Sequence, residues 1–245
     1  MTTTAPTTAR RPPTRTATPP PAIAAAPPGT PLIARLLPAD VASAEAFDDT
    51  APAPLFPAEA ALMEGRRARR RQQFATARAC ARRCLAELGH PPQPLLPGRG
   101  GAPRWPSGVT GSITHCDGYR AAAAARTPTT LTLGIDAEPA EPLPIGVLGL
   151  TTSPAERAHL AELADAHPET PWPTLLFSAK ESIYKAWYPI TGMWLGFRDA
   201  TVHLTPEGTF TAVLHPPSPT PTDPRFQGRW LREGPLLLTA TVRRG

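Results

Sequence analysis

The sequence predicts an α+β fold of two similar lobes, each a helix packed on an antiparallel sheet. Three observations lead there. A helical pattern over about residues 69–88 is followed by paired strand patterns, and a second one over 177–188 is followed by several more. Apolar residues recur every three or four positions in the helices and every second position in the strands. Tight turns and close spacing between successive strands point to antiparallel pairing. No sequence repeat accompanies this order, so the likeness of the halves rests on the succession of elements alone. The expected organisation is a disordered Pro/Thr/Ala-rich tail over 1–30, a first lobe over 31–130 and a second over 131–245.

Composition allows such a core, with 41% hydrophobic residues in 245. No apolar run approaches the roughly 20 residues that span a bilayer, so no membrane segment is expected. The net charge of +5 favours anionic partners: nucleic acid, phosphorylated small molecules or acidic proteins. An odd count of cysteines (Cys80, Cys84 and Cys116) without a secretory signal points to a reducing, cytoplasmic setting. Cys80, Cys84 and His90 lack the second ligand pair that a structural zinc site needs.

In chain order, residues 31–56 read as short apolar pieces and an acidic loop at Asp48-Asp49. A short helix is expected from Ala58 to Gly65. A longer one runs from Arg69 to Leu88 with Gly89 as its terminator. Its stripe is Phe74, Ala77, Ala81, Leu85 and Leu88, and its remaining surface is crowded with arginine. That surface reads either as a solvated basic face or as an anion-binding edge, because arginine pairs bidentately with phosphate. A Pro/Gly loop over 91–108 leads to GSITHC, a turn at Asp117-Gly118, and YRAAAAA, read as a hairpin with His115 near its end.

The clearest strand is Leu131 to Glu138. Leu131, Leu133 and Ile135 take one face, Asp136 and Glu138 the other. Two carboxylates on one face repel unless solvated or bridged, and oxygen ligands at that spacing suit a hard dication such as Mg²⁺. Ser153-Pro154-Ala155-Glu156 is a helix start running to about Ala166, with Glu156 assigned to capping. The next helix carries FSAKESIYKAWY, residues 177–188. Glu181, Tyr184, Lys185 and Tyr188 share one face; Leu176, Ala179, Ile183 and Trp187 share an apolar one. Pro189 is expected to stop it. Ser178-x-x-Glu181 also matches a capping box, although start signals at Pro171 and Pro173 would place Glu181 in the helix interior. Beyond it, Trp194–Phe197, Ala200–Leu204, Phe210–Leu214, Gly228–Leu231 and Pro235–Val242 suggest a meander.

ARRRQQFATARACARRCL, GAPRWPSGVTGSITHCDGYRAAA, LGIDAEPAEPLPIGVL and FSAKESIYKAWYPITGMWLGF stand in one order from about Leu55 onward. Together they resemble the 4′-phosphopantetheinyl transferases, in the monomeric two-lobed branch that activates carrier proteins of nonribosomal peptide, polyketide and siderophore synthesis. GIDxE followed by FSxKExxYKAxYP is the specific part. The resemblance implies a pseudo-two-fold molecule with its active site at the lobe interface. It implies a Mg²⁺ held by Asp136, Glu138 and Glu181 that also takes oxygens of the coenzyme A pyrophosphate. Lys180 and Lys185 would reach the phosphates. His115, with Thr114 beside it, would contact a coenzyme A phosphate, and Arg70 and Arg78 the adenosine 3′-phosphate region. Glu181 is the candidate base and Lys185 the group at the leaving phosphate. The implied partners are apo acyl or peptidyl carrier proteins, with neither nucleic acid nor membrane. Pro97 departs from the family, which often has a lysine there, and neither Arg99 nor Arg104 aligns to replace it. A metal-dependent nuclease, or a non-catalytic adaptor using the basic helix, are the competing readings; the arginine helix lacks the aromatic interleaving of a nucleic-acid module.

Overall fold

The structure is a computed structural model that describes residues 29–50, 54–220 and 222–245. The tail expected over 1–30 falls almost wholly outside the described residues. Five helices are present among them: α1 (Pro57–Ala61), α2 (Ala68–Glu87), α3 (Val147–Thr151), α4 (Pro154–Ala166) and α5 (Trp172–Thr191). The strands are β1 (Ala42–Ala46), β2 (Val109–Cys116), β3 (Tyr119–Arg126), β4 (Thr130–Pro139), β5 (Ala200–Thr205), β6 (Thr209–Leu214), β7 (Arg225–Glu233) and β8 (Leu236–Arg244). They form a three-stranded sheet in the order β1-β3-β2 and a five-stranded sheet in the order β4-β8-β7-β6-β5, antiparallel throughout.

The alanine run of β3 explains how the layers stack. Ala122 and Ala124 face α2 with Cys80, Ala81, Cys84 and Leu85. Ala121, Ala123 and Ala125 face the other way, into a cluster with Leu133 and Ile135 of β4 and Leu238 of β8. A strand covered closely on both faces has room only for small side chains. The third cluster lies beneath α5, where Leu176, Ala179, Ile183 and Trp187 are fully buried. These are the residues that the helical period placed on the apolar face.

The two sheets meet along β2 and β4 without a ladder. Instead, the Ile135 and Ala137 amides donate to the hydroxyls of Ser112 and Thr114, each at 3.1 Å. Across β4, α5 packs backbone to backbone. A Cβ on Gly134 would stand 1.9 Å from the Ser182 carbonyl, so only glycine permits this approach. Thr132 Oγ1 donates to the Ala186 carbonyl at 2.7 Å in the same contact.

Several expectations are corrected. The helix at 57–61 is shorter than the Ala58–Gly65 pattern, and its last residues form turns. Pro189 does not end α5, which continues to Thr191 and closes on Gly192 in the left-handed region, φ 64°. Proline forfeits one amide and crowds one carbonyl, which a helix tolerates when a single turn remains. Trp194–Phe197 is not a strand but a loop leading to a short 3₁₀ turn. β1 was unforeseen.

Candidate active site

α5 begins at Trp172, so Glu181 lies in its interior and Ser178 is not a cap. Ser178 Oγ instead donates to Asp136 Oδ2 at 2.8 Å. Asp136 Oδ1 accepts from Lys185 Nζ at 2.7 Å and from Thr114 Oγ1 at 3.2 Å. Lys185 also donates to the Ile135 carbonyl at 3.2 Å. Thus β4 supplies the carboxylate, α5 the cation and a hydroxyl, and β2 a second hydroxyl. The spacing Ser178, Ser182, Lys185 is the α5 face that Gly134 lets onto β4. Asp136 is 4% exposed, a charge that burial would penalise without Lys185.

Glu138 follows Asp136 on the same strand face, and Glu181 borders them from α5. Burial first, then the Asp136 charge, push the Glu138 carboxyl up to about 7. The same two causes raise Glu181, and Lys185 works against them. The three carboxylates therefore share one field.

A cavity of about 490 Å³ opens between α2 with β2 and the polar face of α5. Arg70, Gln73, Phe74 and Arg78 line it from α2, His115 from β2, and Glu181, Tyr184, Lys185 and Tyr188 from α5. That volume is ordinary for a small-molecule site. Arg70 and His115 Nε2 are in hydrogen-bond contact. Partial burial, then the charges of Arg70, Lys185 and Arg120, hold the His115 imidazole down at about 4, so it is neutral near pH 7. Arg78 lies over the Phe74 ring, 4.3 Å from its centroid, and donates to the Leu95 carbonyl at 2.9 Å. Burial draws Arg78 down to about 10, which still leaves it charged.

The 97–103 loop closes one end, with Pro97 bridged to Pro103. Gly100 adopts φ 66° directly over Tyr188, where a Cβ would lie 2.3 Å from the ring. Neither Arg99 nor Arg104 lines the cavity.

The structure thus brings Arg70, Arg78, His115, Glu181 and Lys185 to one cavity, with Asp136 paired to Lys185 and Glu138 two residues on in the same strand. It treats two expected ligand contacts differently. Thr114 is 2% exposed, and its hydroxyl is spent on the Ala137 amide and Asp136. Lys180 is absent from the cavity and buried in an ion pair with Glu156. Sequence reasoning missed Ser178, which the capping pattern disguised, and Glu59. The Glu59 carboxylate is fully buried and accepts from the Leu95 amide at 2.9 Å and from Arg82 at 3.0 Å, with Arg78 3.9 Å away. It anchors the arginine face of α2. An acid one turn into a short helix carried no signal for that role.

Whether these residues suit a metal ion follows from the donor set. It consists of carboxylate oxygens, the ligands a hard cation takes. Burial and mutual repulsion raise Glu138 and Glu181, and a dication would reverse that rise. Among the described residues no group of three His, Cys, Asp or Glu side chains is drawn together tightly enough to hold a metal, and Lys185 occupies Asp136. The donor set fits a hard cation by chemistry, and Asp136 is already engaged by Lys185.

Comparison with known proteins first places the chain among transferases. A profile described as the 4′-phosphopantetheinyl transferase N-terminal domain matches residues 58–125, and one described as the 4′-phosphopantetheinyl transferase superfamily matches 132–230. The chain is 50% identical over 216 residues to 4′-phosphopantetheinyl transferase Svp of Streptomyces mobaraensis, covering 85% of this chain and 88% of Svp. It is 43% identical over 225 residues to 4′-phosphopantetheinyl transferase PptT of Mycobacterium tuberculosis, covering 86% and 97%. To 4′-phosphopantetheinyl transferase Npt of Nocardia iowensis it is 44% identical over 224 residues, covering 85% and 98%. The chain belongs to the 4′-phosphopantetheinyl transferase family. No helix among the described residues is long and apolar enough to cross a membrane.

Proposed function

We propose that this transferase moves the 4′-phosphopantetheine arm of coenzyme A onto a serine of apo acyl or peptidyl carrier proteins, releasing 3′,5′-ADP. The observation that carries the reading is one cavity in which Arg70 and Arg78 of α2 stand opposite Glu181 and Lys185 of α5, with Asp136 paired to Lys185. Phosphoryl transfer needs positioning and neutralisation of negative charge more than covalent help from the protein. Residues 31–130 and 131–245 serve as the two walls of the site.

The serine oxygen forms the new bond to the β-phosphorus of coenzyme A, and the bond from that phosphorus to the bridging oxygen of the diphosphate breaks. Glu181 accepts the serine proton, directly or through water; its raised affinity for protons suits that task. Lys185, at the rim between Asp136 and the cavity, stabilises the departing phosphate. Arg70 and Arg78 hold the 3′-phosphate end. His115, neutral before binding, donates to a phosphate oxygen or takes up a proton beside it. Asp136, Glu138 and Glu181 would hold Mg²⁺, whose charge supplies neutralisation of the diphosphate. The net charge of +5 steers the enzyme to acidic carrier surfaces, so added salt slows association.

The test is incubation with coenzyme A, Mg²⁺ and a panel of apo carrier proteins, followed by intact-mass analysis. A mass gain of one phosphopantetheine arm on a carrier is expected. No gain on any carrier, with nuclease activity in its place, would overturn the reading.

A further inference from the structure

Lys180 directly precedes Glu181 and is 3% exposed. Its ammonium has three N–H donors. They meet the Glu156 carboxylate at 2.9 Å, the Thr151 carbonyl at 2.8 Å and the Phe197 carbonyl at 2.8 Å. No donor is left for a ligand. Glu156 is equally committed. One oxygen accepts from the Ser153 amide at 2.8 Å, closing the capping box of α4; the other accepts from the Val202 amide of β5 at 2.9 Å. The pair fastens the end of α3, the start of α4, the 197–199 turn and β5 to the residue beside Glu181.

Stability alone does not account for this arrangement. A buried ion pair roughly breaks even against apolar residues of the same volume. A fully satisfied polar network does something packing does less well, which is to fix one arrangement. Location gives that a purpose. A second cavity of about 170 Å³ adjoins the first, lined by Lys180, Glu181, Tyr184, Trp194 and Phe197. Glu181 thus has open space on two sides, and the stretch of α5 that carries it is braced by Lys180.

We infer that Lys180 is a positioning residue that acts through Glu156 to hold the Glu181 carboxylate at the cavity, and is not a phosphate ligand. The inference rests on the metal-holding role proposed for Glu181.

The experiment compares the wild type, Lys180→Met and the double variant Lys180→Met/Glu156→Gln, in which glutamine still caps α4 and no carboxylate is left unpaired. Mn²⁺ affinity is read by electron paramagnetic resonance, coenzyme A affinity by calorimetry in EDTA, and carrier modification by mass. Lys180→Met should weaken Mn²⁺ about 10- to 100-fold, as loss of support behind a metal ligand does, and lower turnover with it. Coenzyme A affinity in EDTA should not change, and the double variant should lose no more than Lys180→Met does, because both changes break the same pair. Loss of coenzyme A affinity by about tenfold in Lys180→Met, or wild-type Mn²⁺ affinity in the double variant, overturns the inference. If Lys180→Met does not fold, the double variant decides: folded with Mn²⁺ weakened and coenzyme A affinity in EDTA kept supports the inference, and folded with wild-type Mn²⁺ affinity or without coenzyme A binding overturns it. A wild type that modifies no carrier defeats the functional reading, while the Mn²⁺ and coenzyme A arms still judge Lys180. A wild type that binds no Mn²⁺ overturns the inference itself.

Discussion

Gly134→Ala tests how α5 is seated. Gly134 faces α5 from β4, and its backbone conformation is one that alanine adopts freely, so the cost lies in the contact. The added Cβ would stand 1.9 Å from the Ser182 carbonyl oxygen and 2.8 Å from the Ala186 nitrogen, where real contacts stay beyond 3.0 Å. Backbone cannot rotate away as a side chain can, so α5 must withdraw from β4 by roughly 1 Å. Ser182 follows Glu181, and Ala186 follows Lys185, so both functional groups move with it. Overpacking of this kind costs about 1–3 kcal/mol, or about 2–12 °C in Tm for a chain of this size. A displacement of about 1 Å at reacting groups lowers turnover by roughly 100-fold. Circular dichroism melting and initial rates of carrier modification at saturating coenzyme A read the two effects. Gly149→Ala is the control, since nothing lies within 4 Å of its Cβ. A Gly134→Ala protein with wild-type Tm and wild-type rate would refute the claim that this contact positions Glu181 and Lys185.

Four further outcomes are expected. Glu181→Gln should reduce turnover by about 100-fold or more with the fold retained, and a wild-type rate would remove it as base and as ligand. Lys185→Ala should lower turnover with little structural change, because Ser178 and Thr114 still hold Asp136; unchanged turnover would take it out of the mechanism. Gly100→Ala forces a left-handed residue into the Tyr188 ring, so the 97–103 loop should lift and coenzyme A should bind more weakly in calorimetry, with equal affinity counting against a role for the loop. His115 is held at about 4 in the fold and titrates near 6.5 when unfolded, so the unfolded chain takes the proton first. Its contribution to stability is therefore complete above pH 6.5 and lost as pH falls towards 4, and urea unfolding of His115→Asn should lack that component of the slope.

Much of this was legible because period and turn chemistry agree with the fold. The faces of α5 came out as read, with Glu181, Tyr184, Lys185 and Tyr188 on the cavity and Leu176, Ala179, Ile183 and Trp187 in the core. The Asp117-Gly118 hairpin and the capping box at Ser153 likewise follow from local rules. β1 escaped because Ala-Ser-Ala-Glu-Ala has no β-branched or aromatic residue; it is a strand through pairing with β3, and Ala42 and Ala44 pack beneath α2. The site residues whose surroundings differ from the expectation depend on distant elements. Lys180 lies one position from Glu181 in sequence, yet its surroundings come from residues 151, 156 and 197. No local pattern distinguishes a lysine that faces a ligand from one that closes a buried ion pair. Thr114 faced the same ambiguity, since a strand residue beside His115 points to the opposite side.

The central claim is that Asp136, Glu138 and Glu181 converge on one cation beside a bound diphosphate. Crystals grown with coenzyme A and Mn²⁺, measured for anomalous scattering, test it directly. A manganese peak at about 2.0–2.3 Å from carboxylate oxygens of all three acids, with the diphosphate completing its shell, is the predicted result. Coenzyme A bound in the cavity with the manganese elsewhere, or coordinated without Glu181, would contradict it.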